Sequence, residues 1–133
     1  MIASSPPRRG ELETQALLRL AHVKPDYPML HVLIAGAMMS MAEVDYPGVL
    51  AELAHAEKRN PGDAGIFYLR GKVYVAMNRN QDAVDALRRA IELGPMDPSP
   101  YYQLGLTYQK LGQTELAREM LDRMQHLKQS SKP

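Results

Sequence analysis

Displacing the sequence by 34 residues against itself sets Gly71 on Gly105, Tyr74 on Tyr108, Ala83 on Ala117, Leu87 on Leu121 and Phe67 on Tyr101. The same step backward sets Pro95 on Pro61, Ala90 on Ala56, Leu87 on Leu53 and Gly71 on Ala37. One offset therefore links three segments, about 30–63, 64–97 and 98–128. A fixed period of this size marks a chain built by repeating one supersecondary unit, each copy burying its apolar face against its neighbour.

Each segment divides into two helical patterns around a short break. In the middle segment Phe67, Gly71, Tyr74 and Val75 share one face of a helix, Met77 to Asn80 interrupt, and Ala83, Leu87, Ala90, Ile91 and Leu93 form the next stripe. Asn80 and Thr114 stand where the second helices begin, as N-caps, and Asp45, Asp63 and Asp97 are placed to cap other helices. Pro47 falls in a first turn, where its missing N–H costs nothing. Gly94-Pro95 ends the middle segment, with Gly94 suited to a left-handed cap. No run alternates with period two, which argues against strands. Residues 11–23 add one more amphipathic stretch through Leu12, Ala16, Leu17 and Leu20, giving about seven helices in antiparallel pairs.

The repeated positions read as packing positions. Gly71, Gly105, Ala83 and Ala117 are small where the helices of a pair cross, with Ala37 and Val49 in the same role in the first segment. Phe67, Tyr101 and Leu33 are the bulky groups beside that crossing. Met124 replaces the small Ala56 and Ala90, which suggests that the array stops there or is covered by something other than a standard repeat.

These residues resemble the tetratricopeptide repeat, a helix–turn–helix unit of 34 residues. The third segment reads Tyr101, Leu104, Gly105, Tyr108, Gly112, Ala117, Leu121. The second reads Phe67, Gly71, Tyr74, Ala83, Leu87, Ala90, Pro95, with Arg70 where Leu is usual. The first, Leu33, Ala37, Val49, Leu53, Ala56, Pro61, is the most divergent and puts Gly36 and Ser40 where Leu and Tyr are typical. The resemblance implies an all-α fold, a right-handed superhelical array of three repeats plus an N-terminal helix. It would occupy residues 11–128, between a disordered segment at 1–10 and a flexible tail at 129–133.

The resemblance further implies a binding scaffold whose concave groove, lined by the first helix of each pair, takes a peptide or helix of a partner protein. Facing that groove would be His31, Ile34, Met38 and Met41 from the first repeat. The second would supply Tyr68, Lys72 and Val75, and the third Tyr102, Leu106, Gln109 and Lys110. Met38, Met41 and Ile34 have a competing fate, burial under the N-terminal helix. Relatives that hold acidic chaperone tails use a clamp of Lys, Asn and Arg. The matching positions here are Ile34, Met38, Leu69, Ser99 and Gln103, and none carries the clamp. The alternative function is homo-oligomerisation through the ends of the array, where Leu116, Met120, Met124 and Leu127 form an apolar stripe.

Composition excludes several other classes. The 133 residues contain no cysteine, so disulfides and thiolate chemistry are absent. A net charge of +1 gives no overall pull toward nucleic acid or anionic membrane. Arg88, Arg89, Arg118 and Arg123 are interleaved with Asp82, Asp85, Glu115, Glu119 and Asp122, a solvated face rather than a phosphate track. The most apolar run, Met29 to Ala42, is about 14 residues against the ~20 a spanning helix needs. No signal segment is visible, so a soluble and cytoplasmic setting is favoured. No catalytic motif is present and no cofactor or metal is expected. His22, His31, His55 and His126 form no His-x-x-x-His pair, and a repeat array is expected to spread them apart.

Overall fold

The computed structural model describes residues 9–24 and 29–131. Seven helices run through them: α1 (Arg9–Val23), α2 (Leu30–Met38), α3 (Tyr46–Arg59), α4 (Ala64–Ala76), α5 (Asn80–Leu93), α6 (Pro98–Lys110) and α7 (Thr114–Ser130). No strand occurs among the described residues. The chain divides into two compact units, Met1–Arg59 and Asn60–Pro133.

In the second unit α4 packs on α5, α5 on α6 and α6 on α7, each neighbour reversed by a short connection. Its core is Val84, Leu87, Leu104, Tyr108 and Ala117, with Tyr68, Ile91 and Met120 packed against it. The glycines at the crossings act as expected. A methyl on Gly71 would meet Leu87, and one on Gly105 would meet Leu121. Tyr101 is buried beside its crossing and its hydroxyl donates to the Pro95 carbonyl at 3.0 Å. Phe67 is half-buried, with the guanidinium groups of Arg70 and Arg89 at 5.1 and 5.9 Å from its ring centre.

The turn inside each pair has a definite chemistry. After α4, Asn78 takes φ 58° while its N–H bonds the Val75 carbonyl and that of Arg79 bonds the Tyr74 carbonyl. After α6, Gly112 takes φ 75°, with the N–H groups of Gly112 and Gln113 on the carbonyls of Gln109 and Tyr108. Both are Schellman closures, which need a residue tolerant of left-handed backbone, and Asn78 and Gly112 lie one repeat length apart. The residue one step earlier is Val44, whose branched side chain resists that conformation. The first repeat accordingly closes differently. Helix α2 is only 9 residues, against 13 for α4 and α6, and ends in tight turns from Ser40 to Ala37 and from Met41 to Met38.

In the first unit α1 packs on α2 and α2 on α3. Gly10 lies against the Ser40 backbone so closely that a methyl there would collide with it. Leu30, Ile34, Ala35, Ala37, Val49 and Leu53 are buried.

Asp63 and Asp97 cap α4 and α6, each accepting at 2.9 Å from the N–H two residues on, and Asp45 accepts from Gly48 N at 3.1 Å. Several expectations need correction. The caps of α5 and α7 are Arg79 and Gln113, neither using its side chain, so Asn80 and Thr114 are the first helical residues instead. The backbone bond to the preceding residue's carbonyl, Ala83 to Arg79 and Ala117 to Gln113, starts each helix one residue earlier. Gly94 has φ −141°, not a left-handed value, and a methyl on it would approach Ala64 Cβ at 3.1 Å. Close approach to the start of α4, rather than backbone handedness, fits a glycine there. Leu33 is 45% exposed and does not fill a crossing. Arg9 and Gly10 belong to α1, tied by Thr14 Oγ1 donating to the Gly10 carbonyl at 2.7 Å, so helix replaces the expected disorder there. Residues 1–8 lie outside the described residues. Gln129 and Ser130 continue α7, whose last turn is extended by Ser130 Oγ on the His126 carbonyl, and are not tail. Residues 132–133 lie outside the described residues.

Candidate functional site

Tyr68 on α4 and Tyr102 on α6 occupy equivalent positions in consecutive repeats, and they flank one hollow of about 200 Å³. Pro98 and Ser99 from the start of α6, with Met124 and Lys128 from the end of α7, complete its walls. Asp97 fixes the α6 start that presents Pro98 and Ser99. Helix α7 brings Lys128 to the hollow because it runs for 17 residues, four more than α6.

Tyr68 is half-buried, with the side chains of Gln103 and Ser99 near its hydroxyl. Burial holds its phenol above the ordinary 10.0, and the nearby Asp97 carboxylate pushes in the same direction, against the opposing effect of Gln103 and Ser99. The Lys72 ammonium stands 5.5 Å from the Tyr68 ring centre, within cation–π range. Tyr102 is 45% exposed. A partner that covered it would remove about 90 Å² of mostly apolar surface from water, a gain of about 2 kcal/mol.

The other expected residues separate into distinct fates. Val75 and Leu106 are half-buried, and Gln109 and Lys110 are exposed. Gln109 lines a different hollow, with Thr114, Ala117, Arg118, Leu121 and Asp122. In the first unit, Ile34 is only 2% exposed and belongs to the core between helices, so it is not a groove residue. Met38 is half-buried, its terminal methyl 3.2 Å from where a Gly48 side chain would begin, and so faces α3. Met41 is half-buried. His31 is half-buried and its Nδ1 pairs with Glu52 Oε2 at 2.7 Å.

Sequence reasoning missed Pro98, Ser99, Met124 and Lys128 as wall residues. Ser99 shares a helix face with Tyr102, which was the available signal. Met124 holds the register position of Ala56 and Ala90, which was its signal, whereas the position of Lys128 depends on how far α7 extends. The end stripe is also less open than expected: Met124 is buried, Met120 and Leu127 are half-buried, and Leu116 is 41% exposed.

A larger hollow, about 410 Å³, lies between α5 and α7, floored by Ile91, Leu104, Tyr108 and Met120 and rimmed by Arg88, Glu92, Glu119 and Arg123. Leu104 and Tyr108 are already removed from water there. A ligand would therefore gain less apolar burial from that floor than from Tyr102. Among the described residues no three His, Asp or Glu side chains gather closely enough to hold a metal ion. None of the described helices is long and apolar enough to cross a membrane.

Reversed helix pairs, paired Schellman turns at one period and glycine-seated crossings give a tandem helical-hairpin fold similar to that of tetratricopeptide repeats. Residues 71–112 match the family profile described as TPR repeat. Among solved structures the fold is similar to "Crystal structure of MamA", at TM-score 0.75 and 20% identity, covering 96% of this chain and 78% of that one. It is also similar to MamA from Desulfovibrio magneticus RS-1, at TM-score 0.77 and 18% identity, covering 90% of this chain and 67% of that one. No curated protein matches the sequence. Tetratricopeptide repeats serve in general as protein-interaction scaffolds rather than catalysts.

Proposed function

We infer that this chain is a protein–protein interaction scaffold and that the hollow between Tyr68 and Tyr102 receives a segment of a partner protein. The observation that carries this is that two equivalent tyrosines, one half-buried and the other 45% exposed, line one concavity. Tyrosine suits such a place because it offers a large rigid ring and a polar hydroxyl at small entropic cost. Lys128 at the wall and Lys72 over the Tyr68 ring add positive charge. An apolar side chain flanked by an acidic group is the complementary ligand. The reading rests on the second unit; His31, Met38 and Met41 are not needed for it.

The test is affinity capture with the full chain, comparing wild type with Tyr68→Ala and Tyr102→Ala after circular dichroism has shown equal helix content. Each substitution is expected to weaken capture of the same partner at least tenfold, the loss of about 1.4 kcal/mol. Equal capture by both variants contradicts the reading.

A further inference from the structure

The four histidines do not all spread apart. His31 on α2 and His55 on α3 stand with ring centres 5.4 Å apart and planes inclined by 30°. Both fall in the first repeat, 24 residues apart in sequence, and the turn between α2 and α3 brings them back together. The expectation that the array separates them fails here because it applies between repeats, not within one.

The second observation concerns the proton on His31. Its Nδ1 lies 2.7 Å from Glu52 Oε2. An ionised carboxylate can only accept, so Nδ1 carries the hydrogen and Nε2 of the neutral ring keeps its lone pair. This is the arrangement that orients a metal-binding imidazole: a carboxylate behind one nitrogen, the other left as donor. His31 and Glu52 keep 27% and 26% of their side chains in solvent, and His55 is exposed, so a hydrated cation can reach the pair. His55 makes no hydrogen bond among the described residues.

The spacing is also the one chelation requires. Two imidazoles bound to one tetrahedral Zn²⁺ through nitrogens at about 2.0–2.1 Å have ring centres about 5.2 Å apart. The observed 5.4 Å is close to that separation. Glu52 is engaged behind His31, and among the described residues no group of three His, Asp or Glu side chains is placed to hold an ion, so the remaining positions would be filled by water.

We propose that His31 and His55 form a two-histidine site for a divalent transition-metal cation, with Glu52 as the positioning residue behind His31. The site joins α2 to α3, so an occupied site staples the repeat whose turn lacks the Schellman closure of the other two. Stabilisation by a bound ion follows directly from its preference for the folded state.

The experiment uses the untagged full chain, stripped with chelator and titrated with ZnCl₂ by calorimetry. His Hε1 and Hδ2 resonances are followed in parallel. One equivalent is expected to bind, with the His31 and His55 resonances moving together. His55→Gln and His31→Gln are each expected to weaken binding at least tenfold, and Glu52→Gln about tenfold. His22→Gln is expected to leave it unchanged. Among the described residues His55 holds no hydrogen bond, so its variant tests the site even where loss of the His31 pair disturbs folding. Equal binding by the His31/His55 double variant, shifts confined to His22 and His126, or no binding at millimolar Zn²⁺ each overturns the proposal. An unchanged affinity in Glu52→Gln overturns the part assigned to Glu52.

Discussion

A methyl group built on Gly71 would stand 2.6 Å from both Cδ2 and Cγ of Leu87, and Leu87 is wholly buried. The α4–α5 crossing is therefore closed to any residue larger than glycine. Overpacking of this kind costs about 1–3 kcal/mol, against a gain of up to ~1 kcal/mol for replacing glycine within a helix. Gly71→Ala is expected to lower the denaturation midpoint. Gly105→Ala meets Leu121 at 2.8 Å, but Leu121 is only half-buried and can turn aside. Its midpoint should fall less. Urea titrations of the two variants check the order.

The left-handed turns make a separate prediction. Gly112 at φ 75° pays no steric cost that a branched residue would pay. Gly112→Val is expected to lose about 1–2 kcal/mol, while Asn78→Gly, at φ 58°, should be neutral or slightly stabilising. Chemical denaturation monitored by circular dichroism measures both.

Asp97 caps α6 through Ser99 N and also faces Tyr68. Asp97→Ala should cost about 1 kcal/mol in stability. Thr114→Ala should change stability by less than about 0.5 kcal/mol, because the cap of α7 uses no side-chain bond. A larger loss in Thr114→Ala would mean that the α7 start is misassigned.

Tyr68 gives the pH dependence. Its phenol is held above 10.0 chiefly by burial and then by Asp97, so the folded state binds that proton more tightly than the unfolded chain. The contribution is fully present below the unfolded value and is lost as pH rises through the raised folded value. Absorbance titration of the tyrosines should show a late component that vanishes in Tyr68→Phe and moves to lower pH in Asp97→Asn.

The packing scheme was legible because it is periodic. Gly71 with Leu87 and Gly105 with Leu121 repeat one spacing, and Asp63 and Asp97 precede helices in the same register. The first repeat was harder to read, since Val44 cannot serve the turn that Asn78 and Gly112 serve, and a short α2 follows. In this repeat Leu33 is exposed and Ile34 is buried, the reverse of the roles inferred from the repeat pattern. Tyr68 and Tyr102 were found by register, whereas Lys128 depends on where α7 ends. The His31–Glu52–His55 contact depends on side-chain reach across two helices, which spacing alone does not encode.

The central claim is that a partner segment lies in the hollow beside Tyr102. A photo-crosslinking amino acid placed at position 102 tests it most directly, with the same group at Arg89, exposed on α5, as the control. The account predicts a covalent adduct with the partner from position 102 that falls sharply when Tyr68→Ala is added, and little or none from position 89. Equal adducts from both positions, or an adduct at 102 indifferent to Tyr68, would contradict it.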